Sequence, residues 1–121
     1  MAEYVVGPVD EIGEGEHRLI DAGGRSIGVI RVDGIFYALR NRCAHQGGPV
    51  CTGAVFPALR ARVTDGRLYK FYDDAQKVIC CPWHGWEYDI RTGQCLADRT
   101  RRIAVYETAV RGGVVVVTVP D

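Results

Sequence analysis

Two short stretches concentrate the residues able to do chemistry: Cys43-Ala44-His45 and Cys81-Pro82-Trp83-His84. Each sets one thiol and one imidazole close together along the chain. Jointly they offer two Cys and two His, enough to close one metal site. Such a set suits a single tetrahedral zinc. Common zinc patterns, however, pair Cys with Cys and His with His, whereas each stretch here is mixed. Zinc also gives no reason for the Gly, Pro and Trp around the donors. A lone match could be an ordinary buried thiol, since an unligated Cys behaves as a small core hydrophobe. Two mixed stretches make coincidence a poor account, and a metal centre is the leading expectation.

Both stretches need loops to carry them. The flanking sequence reads as short strands punctuated by glycine, an all-β pattern. Arg25–Val32 and Ile35–Leu39 flank Asp33-Gly34, a strong hairpin signal. Thr64-Asp65-Gly66-Arg67 predicts a second hairpin tip, with Leu68–Tyr72 as its return strand. Val78–Cys80 leads into the second Cys/His stretch, Trp86–Ile90 leaves it, and Thr92-Gly93 turns the chain. Ile103–Val110 and Val114–Val119 form a closing hairpin through Arg111-Gly112-Gly113. A short helical turn is expected around Pro57–Arg62. No internal repeat, low-complexity tract or long amphipathic helix is visible.

The chain has 121 residues, enough for one domain with a modest core. Lys+Arg and Asp+Glu both number 15, so the formal net charge is zero, which argues against a general nucleic-acid binder. The longest apolar run, Val114-Val115-Val116-Val117, is strand-sized and far short of the ~20 residues of a membrane span. Met1-Ala2-Glu3-Tyr4 lacks the charged and apolar regions of an export signal. A cytoplasmic protein without membrane contact is expected. There the three other cysteines, Cys51, Cys80 and Cys95, would be reduced thiols.

With their flanks, Asn41 to Pro49 and Cys81 to Asp89, the two stretches resemble those of Rieske iron–sulfur proteins. The nearest type is the ferredoxin component of ring-hydroxylating oxygenase systems. The likeness covers nearly the whole chain and includes the approach Val32-Asp33-Gly34-Ile35-Phe36-Tyr37-Ala38-Leu39. It implies a single domain, an antiparallel β-sandwich of the Rieske fold with a small cluster-binding subdomain. The base would be about residues 1–40 and 96–121, and the subdomain about 41–95. It implies a Rieske-type [2Fe–2S] cluster, with Cys43 and Cys81 on one iron and His45 and His84 on the other, nearer the surface. Neutral imidazoles leave the cluster less negative than four thiolates would and raise its potential. The motif selects Cys81 over the adjacent Cys80. High-potential relatives carry a disulfide between the two loops. Trp83 stands at the place nearest to one of its cysteines, so that bridge cannot form. They also carry a Ser two residues after the second His and a Tyr two further on. Here these positions are Trp86 and Tyr88. A low to intermediate potential is expected within the family span of roughly −150 to +300 mV. Pro49, Pro82 and Trp83 would frame the cluster surface, and Trp86 would shield it.

The segment between the two loops is longer than simple Rieske ferredoxins use, the extra residues falling around Val55–Gln76. It reads equally as a solvated hairpin or as a flap that docks a partner or shields the cluster. Of three His, only His17 is left over, too few for the two-His-one-carboxylate iron of an oxygenase. Gly13-Glu14-Gly15 and Gly23-Gly24 lack the GxGxxG pattern of a dinucleotide site. Electrons must therefore come from and go to partners. The reading is a one-electron carrier, not an enzyme, taking electrons from a flavin-dependent reductase and delivering them to a terminal oxygenase or reductase. The alternative is a Rieske-like small subunit of a larger reductase, such as a nitrite reductase. A redox sensor using Cys80 or Cys95 is a third.

Overall fold

The structure is a computed structural model that describes residues 1–44, 46–83 and 85–120. His45, His84 and Asp121 lie outside the described residues. The strands are β1 (Ala2–Pro8), β2 (His17–Ala22), β3 (Arg25–Val32), β4 (Ile35–Arg40), β5 (Val55–Thr64), β6 (Arg67–Cys80), β7 (Glu87–Asp89), β8 (Val105–Arg111) and β9 (Val114–Val119). Two single 3-10 turns cover Val9–Glu11 and Val50–Thr52. Six strands form an antiparallel sheet in the order β1-β9-β8-β4-β3-β2, and three form a second sheet, β5-β6-β7. This is the expected all-β architecture, its sheets curling into a partly closed barrel.

The tight turns follow from local chemistry. Asp33 and Gly34, and Asp65 and Gly66, all adopt positive φ. That conformation matches the right-handed twist of the flanking strands in a two-residue hairpin. The Glu14 carboxylate accepts the amides of both Asp33 and Gly34, which fixes the β3–β4 turn.

β3 and β4 are buried on both faces. Ile30, Val32 and Leu39 pack with Val50, Ile79, Tyr88 and Ile90. The alternate residues Ile27, Val29, Phe36 and Ala38 pack with Val6, Val115, Val117 and Val119. Period-two alternation thus sends one set of side chains into the core that holds Cys43 and Cys81 and the other into the core against β1 and β9. Gly28 sits on the loop-facing side, opposite Leu39. A Cβ there would lie 2.3 Å from Cys51 Cβ, so glycine is what seats the Cys51 side chain against the sheet.

The expected helical turn at Pro57–Arg62 is instead part of β5. Leu59, Arg60, Ala61 and Arg62 pair with Tyr72, Phe71, Lys70 and Tyr69. Pro57 is tolerated because the register shifts between Pro57 and Ala58, where a missing N–H interrupts little. Beyond Ala58 and Asp73 the ribbon leaves the body as an exposed arm. At its root, Asp74, Ala75 and Lys77 share a cleft with Val32, Asp33 and Ile35. That turn is at the opposite end of β4 from Arg40, which leads to Cys43. The arm's root therefore lies at the far end of β4 from the approach to Cys43. β1 and β2 have no counterpart in the sequence reading.

Candidate metal centre

Both Cys/His stretches fold on one hydrogen-bonded frame. The Cys43 carbonyl accepts the Gly47 amide at 2.9 Å, while the Cys43 amide donates to the Gly48 carbonyl at 2.8 Å. The second loop repeats this: the Cys81 carbonyl accepts the Gly85 amide at 2.9 Å, and the Cys81 amide donates to the Trp86 carbonyl at 2.8 Å. The glycine four residues after each Cys has positive φ, 75° at Gly47 and 74° at Gly85. A side chain at either position would be strained, which explains the glycine.

The loops face each other. A Cβ on Gly48 would lie 2.8 Å from the Trp83 ring and 3.1 Å from Cys81 Sγ. Cys43 and Cys81 belong to one core group with Val50, Ile79 and Tyr88, at 3% and 1% exposure. Cys80, the last residue of β6, is half-buried, and its thiol turns to the Cys81 carbonyl at 3.8 Å. Burial, and then the Glu87 carboxylate, push its pKa up.

Tyr88, on β7, is fully buried with its hydroxyl oxygen 3.0 Å from Cys43 Sγ. The same oxygen accepts the Ala44 amide at 2.9 Å. One lone pair is thereby used, leaving the hydroxyl proton for a Cys43 thiolate. Burial, followed by the neighbouring Cys43, holds the phenol above its ordinary titration range, so it stays a neutral donor. Trp86 packs against this core, while Trp83 is 57% exposed and Pro82 also faces solvent. Buried thiols on facing loops, one with a built-in donor, suit a group bound by thiolates. A soft iron centre is such a group.

The profile of the Rieske [2Fe-2S] domain family matches residues 2–107. The chain belongs to that family. Its cofactor is accordingly a Rieske-type [2Fe–2S] cluster. Among curated relatives, this Rieske chain is 30% identical over 115 residues to the 3-phenylpropionate/cinnamic acid dioxygenase ferredoxin subunit of Escherichia coli (strain K12), covering 94% of this chain and 91% of the relative. The corresponding subunit of Shigella flexneri serotype 5b matches equally, at 30% identity over the same shares. In fold it is similar to the ferredoxin of carbazole 1,9a-dioxygenase from Nocardioides aromaticivorans IC177, with a TM-score of 0.75, 22% identity and 97% of each chain covered. It is nearly as similar to a putative NADH-dependent nitrite reductase small subunit from Mycobacterium tuberculosis, with a TM-score of 0.74, 18% identity, and 96% and 93% coverage.

In this Rieske chain the loops are held by a residue that sequence reasoning missed. Arg101 donates to the Ala44 carbonyl of the first loop at 3.2 Å and lies 5.5 Å above the Trp86 ring of the second. Asp98 orients it through an ion pair of 3.3 Å. Hydrogen bonds from Thr100, and then the Arg101 charge, keep the Asp98 carboxyl below its usual range. Arg101 is 57 residues from Ala44, so no local pattern announces it. Cys51 and Cys95 are fully buried thiols of the same core. Burial pushes the Cys51 thiol up to about 12. His45 and His84 lie outside the described residues, and His17 is exposed on β2 opposite Ile30. No helix among the described residues is long and apolar enough to cross a membrane.

Proposed function

We propose that this Rieske chain is a one-electron carrier of the oxygenase-ferredoxin type. Cys43 and Cys81 would hold the buried iron of the cluster, and His45 and His84 the outer one. The observation that carries the reading is the 30% identity to dioxygenase ferredoxin subunits across 94% of this chain and 91% of theirs. When bound, the cluster supplies reversible one-electron exchange. The chain's own residues do the rest. The paired loop frames fix both cysteines, Tyr88 donates toward Cys43, and Arg101 clamps one loop to the other. Exposed Trp83 and Pro82 give an apolar rim suited to the small, brief interfaces of redox encounters. Electrons would arrive from a flavin-dependent reductase and leave to a terminal oxygenase in the cytoplasm, with no substrate chemistry on this chain. A small-subunit role in a nitrite reductase rests on likeness of fold alone.

Two measurements test this. Anaerobic voltammetry across a pH series should give one reversible couple of low to intermediate potential, flat around neutral pH. A high potential falling with pH near neutrality would overturn the ferredoxin assignment. Cys81→Ser should abolish the cluster absorption and EPR signals while Cys80→Ser keeps them; the reverse would shift the second loop's register by one residue.

A further inference from the structure

The formal charge of the whole chain is zero, yet its charges are not evenly spread. The segments 40–47 and 98–104, which meet beside the first loop, carry five arginines and one carboxylate. A groove of about 710 Å³ runs between them, lined by Arg40, Arg42 and Arg102 together with Cys43, Ala44 and Gly47 of the loop. A second, smaller cleft of about 240 Å³ continues it past Ser26 and Asn41 and shares Arg40 and Arg42. Asp98, the one carboxylate of these segments, is committed to Arg101. Among the described residues, Arg40, Arg42 and Arg102 enter no ion pair. Three guanidinium groups are thus gathered without counter-charge in a concavity whose wall is the cluster loop.

From this placement we infer that the groove is the docking site for a carboxylate-rich protein surface, that of the carrier's redox partner. The inference rests on the carrier reading and adds the chemistry of the partner. Guanidinium forks match carboxylates two bonds at a time. A concave, like-charged wall also concentrates field and steers opposite charge from a distance. Because the groove wall is the first loop itself, a carboxylate seated there brings the partner's surface against the cluster rim formed by Trp83 and Pro82. Zero net charge leaves the protein no global attraction for an anionic partner, so steering must come from this local asymmetry.

The test uses the cluster-loaded protein and an Arg40→Gln/Arg42→Gln/Arg102→Gln variant whose absorption spectrum confirms an intact cluster. Reduced protein is oxidised in stopped flow by ferricyanide, an anion, and by tris(phenanthroline)cobalt(III), a cation. Salt is raised so that the Debye length falls from about 30 Å to about 8 Å. The ferricyanide rate should fall ~tenfold with salt and the cobalt rate should rise. In the variant, left with three fewer positive charges, both trends should vanish or reverse. Separately, polyglutamate should bind the natural protein at low salt by calorimetry and fail to bind the variant. Equal salt dependence in the two proteins, or polyglutamate binding that survives the substitutions, would sink the inference. Failure of the carrier reading looks different: no reversible one-electron couple in the natural protein, whatever polyglutamate does.

Discussion

The hydroxyl of Tyr88 stands 3.0 Å from Cys43 Sγ, so a side chain from β7 reaches across to the thiol of the opposite loop. Reduction places more negative charge on the cluster's sulfurs, so an O–H donor favours the reduced state. Tyr88→Phe keeps the ring and removes the donor. A difference of about 1 kcal/mol between the two redox states corresponds to ~40 mV for a one-electron couple. The variant's potential should fall by about that much in voltammetry. It should also lose about 1–3 kcal/mol of stability, because the Ala44 amide loses its partner. An unchanged potential would remove Tyr88 as a donor to Cys43.

Gly53 and Gly112 separate two reasons for a glycine. A Cβ on Gly53 would fall 1.7 Å from the Cys80 carbonyl oxygen, a backbone atom that cannot step aside alone. Gly112 has positive φ, 58°, and open space around it. Gly53→Ala should cost about 3 kcal/mol and disturb the second loop, lowering cluster content. Gly112→Ala should cost only about 1–2 kcal/mol and leave the cluster spectrum alone. Denaturant melts with absorption spectra check both, and equal losses would contradict the packing at Gly53.

Cys51 gives an alkaline signature. Its thiol titrates near 9.0 when unfolded and near 12 in the fold, where burial disfavours the thiolate. A raised acid pKa means that the folded chain keeps a proton the unfolded chain has lost. This contribution is therefore whole below pH 9 and is lost as pH rises toward 12. The window is worth on the order of 4 kcal/mol. Urea melts from neutral pH to above pH 10 should show stability falling. Cys51→Ala should lower stability at neutral pH but flatten that fall; a parallel fall in the variant would place the alkaline lability elsewhere.

The arm should be dispensable for holding the cluster. Replacing Leu59–Tyr72 by a two-glycine turn between Ala58 and Asp73 removes residues that are almost all solvent-exposed. Shortening such a ribbon changes loop-closure entropy by only about 1 kcal/mol. Cluster absorption and potential should match those of the full chain. Loss of the cluster would mean that the ribbon supports the loops from a distance.

What could be read in advance was local. The mixed Cys/His stretches and the Asp-Gly turns are each set by a handful of adjacent residues, and Asp33-Gly34 and Asp65-Gly66 take the φ values their types suggest. The errors came where distant partners decide. Leu59-Arg60-Ala61-Arg62 are good helix formers, but pairing with Tyr69–Tyr72 makes them strand. β1 was missed because its alternation ends at Gly7-Pro8, and its partner β9 lies more than a hundred residues away. The seat of Cys51 on Gly28 and the Arg101 clamp arise only after the sheets have assembled.

The two-faced burial of β3 and β4 bears on how the molecule comes apart. Leu39 belongs to the core that holds Cys43 and Cys81, and its neighbour Ala38 to the core against β1 and β9, so the two cores share one pair of strands. Among the described residues, neither core can come away without stripping one face of both strands. The two cores should therefore unfold in a single cooperative transition, and damage to one should be felt as lost stability in the other.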